Sequence, residues 1–339
     1  MTSSHSQGRP QHRRVVALGG GHGLFASLSG LRRVTRDLTA VVTVADDGGS
    51  SGRLRREFGV LPPGDLRMAL AALCGDDEWG TTWSRVIQHR FTELAATAAG
   101  GEPGVGSVGP GLSGHVVGNV LIVALWELLG DTVQGLDWVG RLLGAHGRVL
   151  PMAAVPLDLV AEVEGADPDR PDELSTVHGQ VACATTTGRV RSISLIPADP
   201  PACPEAVQAI RAADWVVLGP GSWFTSVLPH LLVPELAAAL IGTRARRLVA
   251  LNLAPQPGET EGFSPHAHLE VLADHAPDLA VDVVLADRTA ARGSITELEK
   301  AAGRLGARLV LADLAVMDGS PRHDPLRLAG AFAQIFEGD

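Results

Sequence analysis

The segment 45-ADDGGSSGRLRREF-58 brings carboxylates, hydroxyls, glycines and guanidinium groups together directly after the strand-like run 39-TAVVTV-44. Carboxylates hydrogen-bond the hydroxyls of ribose or of a sugar. Successive glycine and serine residues form a nest of donors for anions, and an arginine adds a planar, bidentate clamp for phosphate. The segment therefore predicts a ligand with both hydroxyl and phosphate groups; an exposed polar loop is the alternative. Its candidate ligand-binding residues are Asp46, Asp47, Gly49, Ser50, Ser51 and Arg53.

Two glycine-rich turns follow other strand-like runs. The first, 18-LGGGHGLFA-26, has the G-x-G-x-x-A spacing that lets a phosphate approach backbone N–H groups at the start of a helix. The second, 218-LGPGSWFTS-226, repeats the order of strand, glycine turn and helix, with Ser222 as the expected N-cap. A tight turn without a ligand is the alternative in the first case. The candidates are Gly20, Gly21, His22 and Gly23 in the first turn, and Gly219, Gly221 and Ser222 in the second.

Other polar residues are candidates outside these glycine-rich segments. His115 and Asn119 lie four residues apart in an apolar run, so on a helix they share one face. A satisfied buried pair and a ligand-facing pair are both open interpretations. Polar turns after later strands add further candidates for the same cleft, namely Asn252, Glu259, Thr260, Arg322 and His323.

The turn 62-PPGD-65 contributes Gly64 and Asp65, with Asp65 as the expected N-cap of a helix to Cys74. Asp46, Asp47 and Asp65 could hold magnesium, because hard cations take carboxylate oxygens. The sequence assigns no metal site, however, and no nucleophile–base arrangement can be argued from spacing. We therefore name no catalytic residue and leave open whether the chain is an enzyme.

Composition argues against several classes of protein. The 339-residue chain has a formal net charge of −10, and its 28 Lys and Arg are mostly scattered, which is unlike a nucleic-acid-binding surface. Its 3 cysteines lack metal-ligand spacing and fit a reducing compartment. The first residues are polar, unlike a signal peptide, and no apolar run reaches the ~18 residues of a membrane span. We expect a cytoplasmic protein that is not a membrane protein.

The rhythm of strands and helices predicts an α/β fold. The run 14-RVVALG-19, a helix from Leu24 to about Val34, and 39-TAVVTV-44 form a βαβ unit. The same rhythm returns after residue 204, with one long helix expected over 222–241. Between about 149 and 197, β-branched runs predict an antiparallel β insertion. We expect a Rossmann-like, mostly parallel, doubly wound sheet in a single domain over 14–339, a disordered tail over 1–13, and a flexible loop over about 95–113.

The chain resembles the YvcK family of gluconeogenesis factors, within the broader CofD-like group. The resemblance rests on 19-GGGHGL-24, 41-VVTVADDGGSSGRLR-55, 61-LPPGDLR-67, 114-GHVVGN-119, 218-LGPGSWFTS-226, 256-QPGET-260 and 322-RHD-324, in the family's order along the chain. His22 stands where the family usually has Thr, Met68 where it has Asn, and Ala267 where it has Asp.

This resemblance implies a Rossmann-like fold and a cytoplasmic regulator that binds UDP-sugars, notably UDP-N-acetylglucosamine, and links carbon metabolism to cell-wall (peptidoglycan) synthesis and cell shape. It implies Ser/Thr protein kinases and cell-wall synthesis proteins as partners; a homo-oligomer is open. It also implies that the glycine turns, the acid–Ser–Arg segment, His115, Asn119 and Arg322 bind the nucleotide sugar. The alternatives are a CofD-like transferase that joins phospholactate to a deazaflavin with magnesium, and an oxidoreductase that binds an NAD-like dinucleotide.

Overall fold

The computed structural model describes residues 13–92, 111–167, 169–170 and 172–338. Its strands are β1 (Arg14–Gly19), β2 (Asp37–Val42), β3 (Arg148–Pro151), β4 (Asp158–Glu164), β5 (Leu174–His178), β6 (Arg189–Ile196), β7 (Trp215–Leu218), β8 (Arg246–Ala250), β9 (Val283–Asp287) and β10 (Arg308–Ala312). The α-helices are α1 (Gly21–Leu31), α2 (Gly49–Phe58), α3 (Gly64–Ala72), α4 (Glu78–Gln88), α5 (Val117–Leu129), α6 (Thr132–Leu143), α7 (Gln180–Thr185), α8 (Pro204–Ala212), α9 (Pro234–Gly242), α10 (Pro265–His275), α11 (Ile295–Arg304) and α12 (Pro325–Glu337).

Seven strands form one parallel sheet in the order β10-β9-β8-β7-β1-β2-β3. The central strands are continuous apolar runs, such as 15-VVAL-18 and 215-WVVL-218, and both runs are buried because helices cover both faces of the sheet. The strand order reverses between β1 and β7. A doubly wound sheet opens a crevice at such a switch point, outside the carboxyl ends of the strands.

The remaining strands form a small antiparallel sheet in the order β5-β4-β6, with helix α7 between β5 and β6. The predicted mixture of a parallel Rossmann-like sheet and an antiparallel insertion is therefore confirmed. The insertion is shorter than predicted, because β3 pairs in parallel with β2 in the large sheet, through Thr39 and Arg148 among others.

Two local predictions are wrong. The segment 222–241 is not one helix: it comprises a π-helical turn (Trp223–Val227), a 3₁₀ helix (Leu228–Leu232) and α9. Pro229 and Pro234 lack the N–H groups that a continuous helix would need, which accounts for these breaks. Asp65 is not an N-cap either, because Pro63 occupies that position and Asp65 lies in the first turn of α3.

The predicted tail over 1–13 and loop over 95–113 fall almost wholly outside the described residues. Within the described ranges, no single helix is long and apolar enough to cross a membrane. The pair Trp223–Leu232 and Pro234–Gly242 passes that test only jointly, by length and composition, and it is bent by 82°.

Candidate functional site

The first and second glycine turns touch each other at the switch point of the sheet. Gly20 is the N-cap of α1, after β1, and the turn after β7 begins where the Gly219 N–H donates to the Leu18 carbonyl at 3.0 Å. A Cβ at Gly23 would lie only 1.9 Å from the Pro220 carbonyl oxygen and 2.6 Å from Gly221 Cα. The two turns therefore meet backbone to backbone, and only a glycine fits at position 23.

A cleft of about 540 Å³ opens beside this contact, and we call it the switch-point cleft. It contains six of the predicted candidates, His22, Gly23, Gly221, Asn252, Arg322 and His323. Its other lining residues come from α1, the turns after β7 and β8, and the segment that leads into α12: Phe25, Ala26, Pro220, Leu253, Ala254, Pro255, Gln256, Pro257, Val316, Pro321 and Pro325. Sequence reasoning missed the apolar lining residues. For Phe25 there was a signal, because it follows the first glycine turn on α1 and so lies close to His22 along the helix.

Hydrogen bonds from the turn after β8 hold the wall of the cleft. Asn252 Oδ1 accepts the N–H of Gly221 at 2.7 Å, and Asn252 Nδ2 donates to the carbonyl of the same residue at 2.8 Å. Gln256 Nε2 makes a longer contact of 3.4 Å with the hydroxyl of Ser222. Ser222 precedes the π-helical turn, as predicted, but its side chain makes no capping hydrogen bond.

Glu259 and Thr260, which were predicted to line the cleft, instead support it from inside. Glu259 Oε1 accepts the backbone N–H of Thr225 at 2.7 Å, and the Thr260 hydroxyl accepts the N–H of Gln256 at 2.8 Å. Glu259 is buried, and this burial raises the pKa of its carboxyl group. Both residues therefore hold the turns on either side of the cleft.

Arg322 and His323 form the opposite rim of the cleft. The side chain of Arg322 is 71% exposed and donates to Asp318 at 2.6 Å and to the Ser320 hydroxyl at 2.9 Å. Hydrogen bonds, first from Ser320 and then from Arg322, lower the pKa of Asp318 to about 2. Burial lowers the pKa of His323 to about 4, so its imidazole is neutral at pH 7. Arg322 is the fixed positive charge on this rim.

Ser50 was predicted separately from the pair His115 and Asn119. The structure brings the three side chains together in a buried network away from the cleft lining. The Ser50 hydroxyl accepts from the Val116 N–H and from Asn119 Nδ2, both at 3.2 Å. His115 Nδ1 lies 3.1 Å from the same hydroxyl. On the far side, Arg67 Nε donates to Asn119 Oδ1 at 3.2 Å. These groups satisfy one another and join α2, α3 and α5.

Ser51 and Asp46 connect the acid–Ser–Arg segment to the PPGD turn. The Ser51 hydroxyl accepts the N–H of Gly64 at 2.9 Å, and a Cβ at Gly64 would lie 2.7 Å from Asp46 Oδ2. Asp46 Oδ1 also accepts the Gly48 N–H at 2.9 Å. Burial raises the pKa of Asp46, although these hydrogen bonds oppose the shift. Residues 49–58 are the helix α2 rather than a loop.

Asp65 links that segment to the first glycine turn. A Cβ at Gly20 would lie 2.5 Å from Asp65 Oδ2, so the carboxylate packs directly against the backbone of the turn. Burial, and then the charge of Asp46, raise the pKa of Asp65 to about 7, whereas the N–H of Gly21 favours the charged form. The glycine turn and the acid–Ser–Arg segment thus meet through Asp65, on the other side of the turn from the residues that line the cleft.

The other members of the segment point elsewhere. Asp47 Oδ1 accepts the N–H of Val181 in α7 at 3.0 Å, and Arg53 Nη2 donates to the Ser113 carbonyl at 3.1 Å. Gly49 is exposed at the start of α2. Helix α7 also lies against the turn after β8, because a Cβ at Gly258 would be 2.7 Å from the Ala184 carbonyl oxygen. Within the described residues, no three His, Cys, Asp or Glu side chains are grouped to hold a metal ion.

Comparison with known proteins identifies close relatives over nearly the whole chain. A family model described as "2-phospho-L-lactate transferase CofD" matches residues 15–318. A Mycobacterium tuberculosis protein named "Putative gluconeogenesis factor" is 53% identical over 327 residues, covering 96% of this chain and 91% of that protein. The "Gluconeogenesis factor" of Halalkalibacterium halodurans is 37% identical over 273 residues, covering 80% of this chain and 77% of that protein.

Solved structures support the same grouping. An X-ray crystal structure of a Bacillus halodurans protein is 32% identical, with a TM-score of 0.79, and covers 95% of this chain and 99% of that one. A second crystal structure from the same organism, described as a member of the UPF0052 family, is also 32% identical, with a TM-score of 0.78, and covers 94% of this chain and 98% of that one.

Proposed function

The chain belongs to the gluconeogenesis factor (YvcK) family, whose domain is CofD-like, and from this we propose that it is a regulatory protein that binds a nucleotide sugar of the UDP-N-acetylglucosamine type. In this proposal the ligand occupies the switch-point cleft. Its occupancy reports the supply of sugar precursors to the cell-wall synthesis machinery in the cytoplasm. Ser/Thr protein kinases and cell-wall synthesis proteins are the partners that this role implies.

The observation that carries the proposal is the contact between Gly23 and Pro220 beside the cleft. It leaves a stretch of wall formed by bare backbone at the carboxyl ends of β1 and β7, where doubly wound sheets bind nucleotides. The volume of about 540 Å³ lies within the usual range for small-molecule sites, roughly 300–1,000 Å³.

Donors are available on two sides of this cleft for a diphosphate. His22 and Gly23 lie in the first turn of α1, before the first intrahelical hydrogen bond from the Leu24 N–H to the Gly20 carbonyl at 3.2 Å. Their N–H groups are at the positive end of the helix, which attracts anions. Arg322 supplies a guanidinium on the opposite rim. Gln256 adds an amide group for a base or a sugar, while the amide of Asn252 holds Gly221 in the wall.

Isothermal titration calorimetry with UDP-N-acetylglucosamine tests this assignment. We expect saturable binding at one site, and a loss of about 10- to 100-fold in affinity for Arg322→Ala, because one charge-assisted hydrogen bond to phosphate contributes roughly 1.5–3 kcal/mol. Arg327→Ala is the matched control, since Arg327 lies on α12, outside the cleft lining, and should bind as the wild type does. UDP, UMP and NAD titrated in parallel identify which part of the ligand is recognised.

Two results would contradict the proposal. If no nucleotide sugar binds at millimolar concentration, the regulatory-binding role is wrong. If UDP-N-acetylglucosamine binds equally to wild type, Arg322→Ala and a Gly23→Ala variant, the ligand does not occupy the switch-point cleft. Arg53→Ala is informative in the same titration, because Arg53 contacts the Ser113 carbonyl and does not line the cleft. We expect its effect on affinity to be smaller than that of Arg322→Ala.

A CofD-like phospholactate transferase is the second candidate, favoured by the description of the family model that matches residues 15–318. Asp46 and Asp65 interact electrostatically beside the first glycine turn, and two such carboxylates are the ligands that magnesium takes in phosphate-transfer sites. Mass spectrometry after incubation with a deazaflavin acceptor, activated phospholactate and magnesium tests this activity. Product that forms with the wild type and not with Asp65→Asn would support the transferase; no product from the wild type would exclude it.

A further inference from the structure

A cluster of arginines lies at the other edge of the parallel sheet, where the strands begin. Arg13 precedes β1 and Arg14 begins it. Arg211 lies in the last turn of α8, before β7. Arg244 precedes β8 and Arg246 begins it. We call these five residues the amino-edge arginine cluster. They line one cavity of about 520 Å³, whose other lining residues are Ala212, Ala213, Asp214, Trp215 and Phe336. The chain as a whole has a net charge of −10, so this concentration of positive charge is local.

Only part of this charge is compensated within the described residues. Arg14 pairs with Asp214, the one carboxylate among the described lining residues, through Nη2 and Oδ1 at 2.9 Å. The guanidinium of Arg246 lies 5.8 Å from the ring centre of Trp215 and has a further partner, so Arg246 is not a free charge. Arg13 acts electrostatically on Asp214 without a direct ion pair, and over the described chain the side chains of Arg211 and Arg244 make no hydrogen bond or ion pair.

Favourable interactions of arginines with the negative C-terminal ends of helices explain few of the positions in the amino-edge arginine cluster. Arg211 lies in the last turn of α8, where a positive charge is favourable by only about 0.3–1 kcal/mol at an exposed position. Arg244 lies beyond the end of α9, and Arg13 belongs to no helix. Like charges that line one cavity repel one another, so a bound anion would relieve a repulsion that the folded chain otherwise retains.

We propose that the amino-edge arginine cluster is a binding site for a diphosphate group, separate from the switch-point cleft. Guanidinium groups bind phosphate in a planar, bidentate manner, and groups from three different loops match a ligand with more than one phosphate. The ligand is either inorganic pyrophosphate or the diphosphate of a nucleotide, with the rings of Trp215 and Phe336 at the base of the cavity. The site does not depend on the proposed nucleotide-sugar function, because it lies at the opposite ends of β1, β7 and β8.

Titration calorimetry on the full chain, in buffer free of phosphate, tests the site with inorganic pyrophosphate and, in a second arm, with ADP. We expect pyrophosphate to bind the wild type and the double variant Arg211→Ala/Arg244→Ala to bind at least about tenfold more weakly. Stronger binding of ADP than of pyrophosphate assigns a nucleotide, whereas equal or weaker binding assigns the inorganic ion. The affinity should fall as ionic strength rises, because salt screens exposed charges.

The matched control is Arg85→Ala/Arg292→Ala, which removes the same charge at exposed positions outside the cavity. Pyrophosphate should bind this control as it binds the wild type. If both double variants lose affinity equally, the effect is one of net charge, and the proposal is wrong. It is also wrong if the wild type binds neither probe at 1 mM, or if Arg211→Ala/Arg244→Ala binds normally.

Hydrogen exchange provides a readout that does not depend on variants. Pyrophosphate should slow amide exchange in residues 211–215 and 243–246 and leave the turn at 20–23 unchanged. Protection at 20–23 alone would mean that the anion binds the switch-point cleft, which would overturn the amino-edge site. UDP-N-acetylglucosamine titrated into Arg211→Ala/Arg244→Ala should bind normally. A wrong assignment of the amino-edge site can therefore be told apart from a wrong assignment of the switch-point cleft.

Discussion

The side-chain amide of Asn252 binds both backbone groups of Gly221: Oδ1 accepts the Gly221 N–H at 2.7 Å, and Nδ2 donates to the Gly221 carbonyl at 2.8 Å. Gly221 has a φ of +146°, a conformation that side-chain-bearing residues rarely adopt. Asn252 follows β8 and Gly221 follows β7, so one amide side chain ties together the ends of two neighbouring strands. Asn252 therefore makes the shortest direct connection across this part of the wall of the switch-point cleft, beside the longer contact of Gln256 with Ser222.

Asn252→Ala should weaken both the fold and ligand binding. Losing the pair of hydrogen bonds should lower the free energy of unfolding by about 1–3 kcal/mol. Each hydrogen bond contributes ~1 kcal/mol net, and the N–H and carbonyl of Gly221 would stay partly shielded from water. Urea unfolding measures this loss, and calorimetry with UDP-N-acetylglucosamine measures the accompanying loss of affinity. Gln88→Ala, which removes an exposed amide on α4, should change stability by less than about 0.5 kcal/mol. Normal ligand affinity in Asn252→Ala would refute the importance of this wall.

Gly23→Ala should force the two glycine turns apart. The new Cβ would meet the Pro220 carbonyl oxygen at 1.9 Å, which neither backbone can accept without moving. We expect a loss of stability of at least about 1–3 kcal/mol, typical of overpacking, and loss of nucleotide-sugar binding.

Gly303→Ala is the control for this substitution, because Gly303 lies within α11 with open space around its Cα. There the alanine should stabilise the protein by up to about 1 kcal/mol, since alanine favours helix over glycine. Thermal or urea unfolding of both variants gives the comparison. Equal stability of the two variants would contradict the contact between the turns.

Ser50→Ala should destabilise the junction of α2, α3 and α5. Its hydroxyl is the acceptor for the Val116 N–H and for Asn119 Nδ2, and both donors would be left buried without it. A buried unsatisfied donor costs about 1–3 kcal/mol, so we expect a loss of roughly 2–4 kcal/mol in the free energy of unfolding. Ser192→Ala, at an exposed position on β6, should have almost no effect. A loss of ligand affinity without a loss of stability would instead indicate that Ser50 contacts ligand.

Asp65 should make stability depend on pH in an unusual direction. Its pKa rises from 3.8 to about 7 on folding, so the native state binds more protons between these values than the unfolded state does. Stability contributed by the protonated form is therefore present below pH 4 and is lost as pH rises to about 7.

The difference in unfolding free energy between wild type and Asp65→Asn isolates this effect, because His230 and His323, whose pKa values are lowered to about 4, act in the opposite direction in both proteins. Urea unfolding at intervals from pH 4 to pH 8 should show the wild type losing stability relative to Asp65→Asn as pH rises. Asp131→Asn, at the exposed N-cap of α6, is the control for the removal of one carboxylate. A flat difference for Asp65→Asn would mean that Asp65 is not held near Asp46 and Gly20.

The sheet and the positions of its turns were predictable because they depend on short-range patterns. A βαβ unit needs only an apolar run, a glycine turn and a second run, and 14-RVVALG-19 followed by 39-TAVVTV-44 supplies them. The break in 222–241 does have a signal in the sequence, because Pro229 and Pro234 stand at the starts of the 3₁₀ helix and of α9. No comparable signal shows that β3 belongs to the large sheet rather than to the insertion, because its partner β2 is far away in sequence.

The directions of the site side chains were not predictable in the same way. Ser50 was expected to face an anion, yet its partners His115 and Asn119 come 65 and 69 residues later, and their approach depends on how α2 packs against α5. Conversely, Asn252 was predicted only as a polar residue in a turn, and Arg322 was predicted from its turn and from the family resemblance; both line the switch-point cleft. The sequence indicates which residue types follow each strand, whereas the packing of helices decides which of them faces the cleft.

Helix α7 gives the antiparallel insertion a mechanical connection to the large sheet. Its first turn is fastened to Asp47 through the Val181 N–H, while the carbonyl of Ala184 rests against Gly258. Both contacts are made by one helix of six residues, so α7 joins the turn after β8 to the loop after β2. We expect a shift of either segment to be felt by the small antiparallel sheet to which α7 belongs.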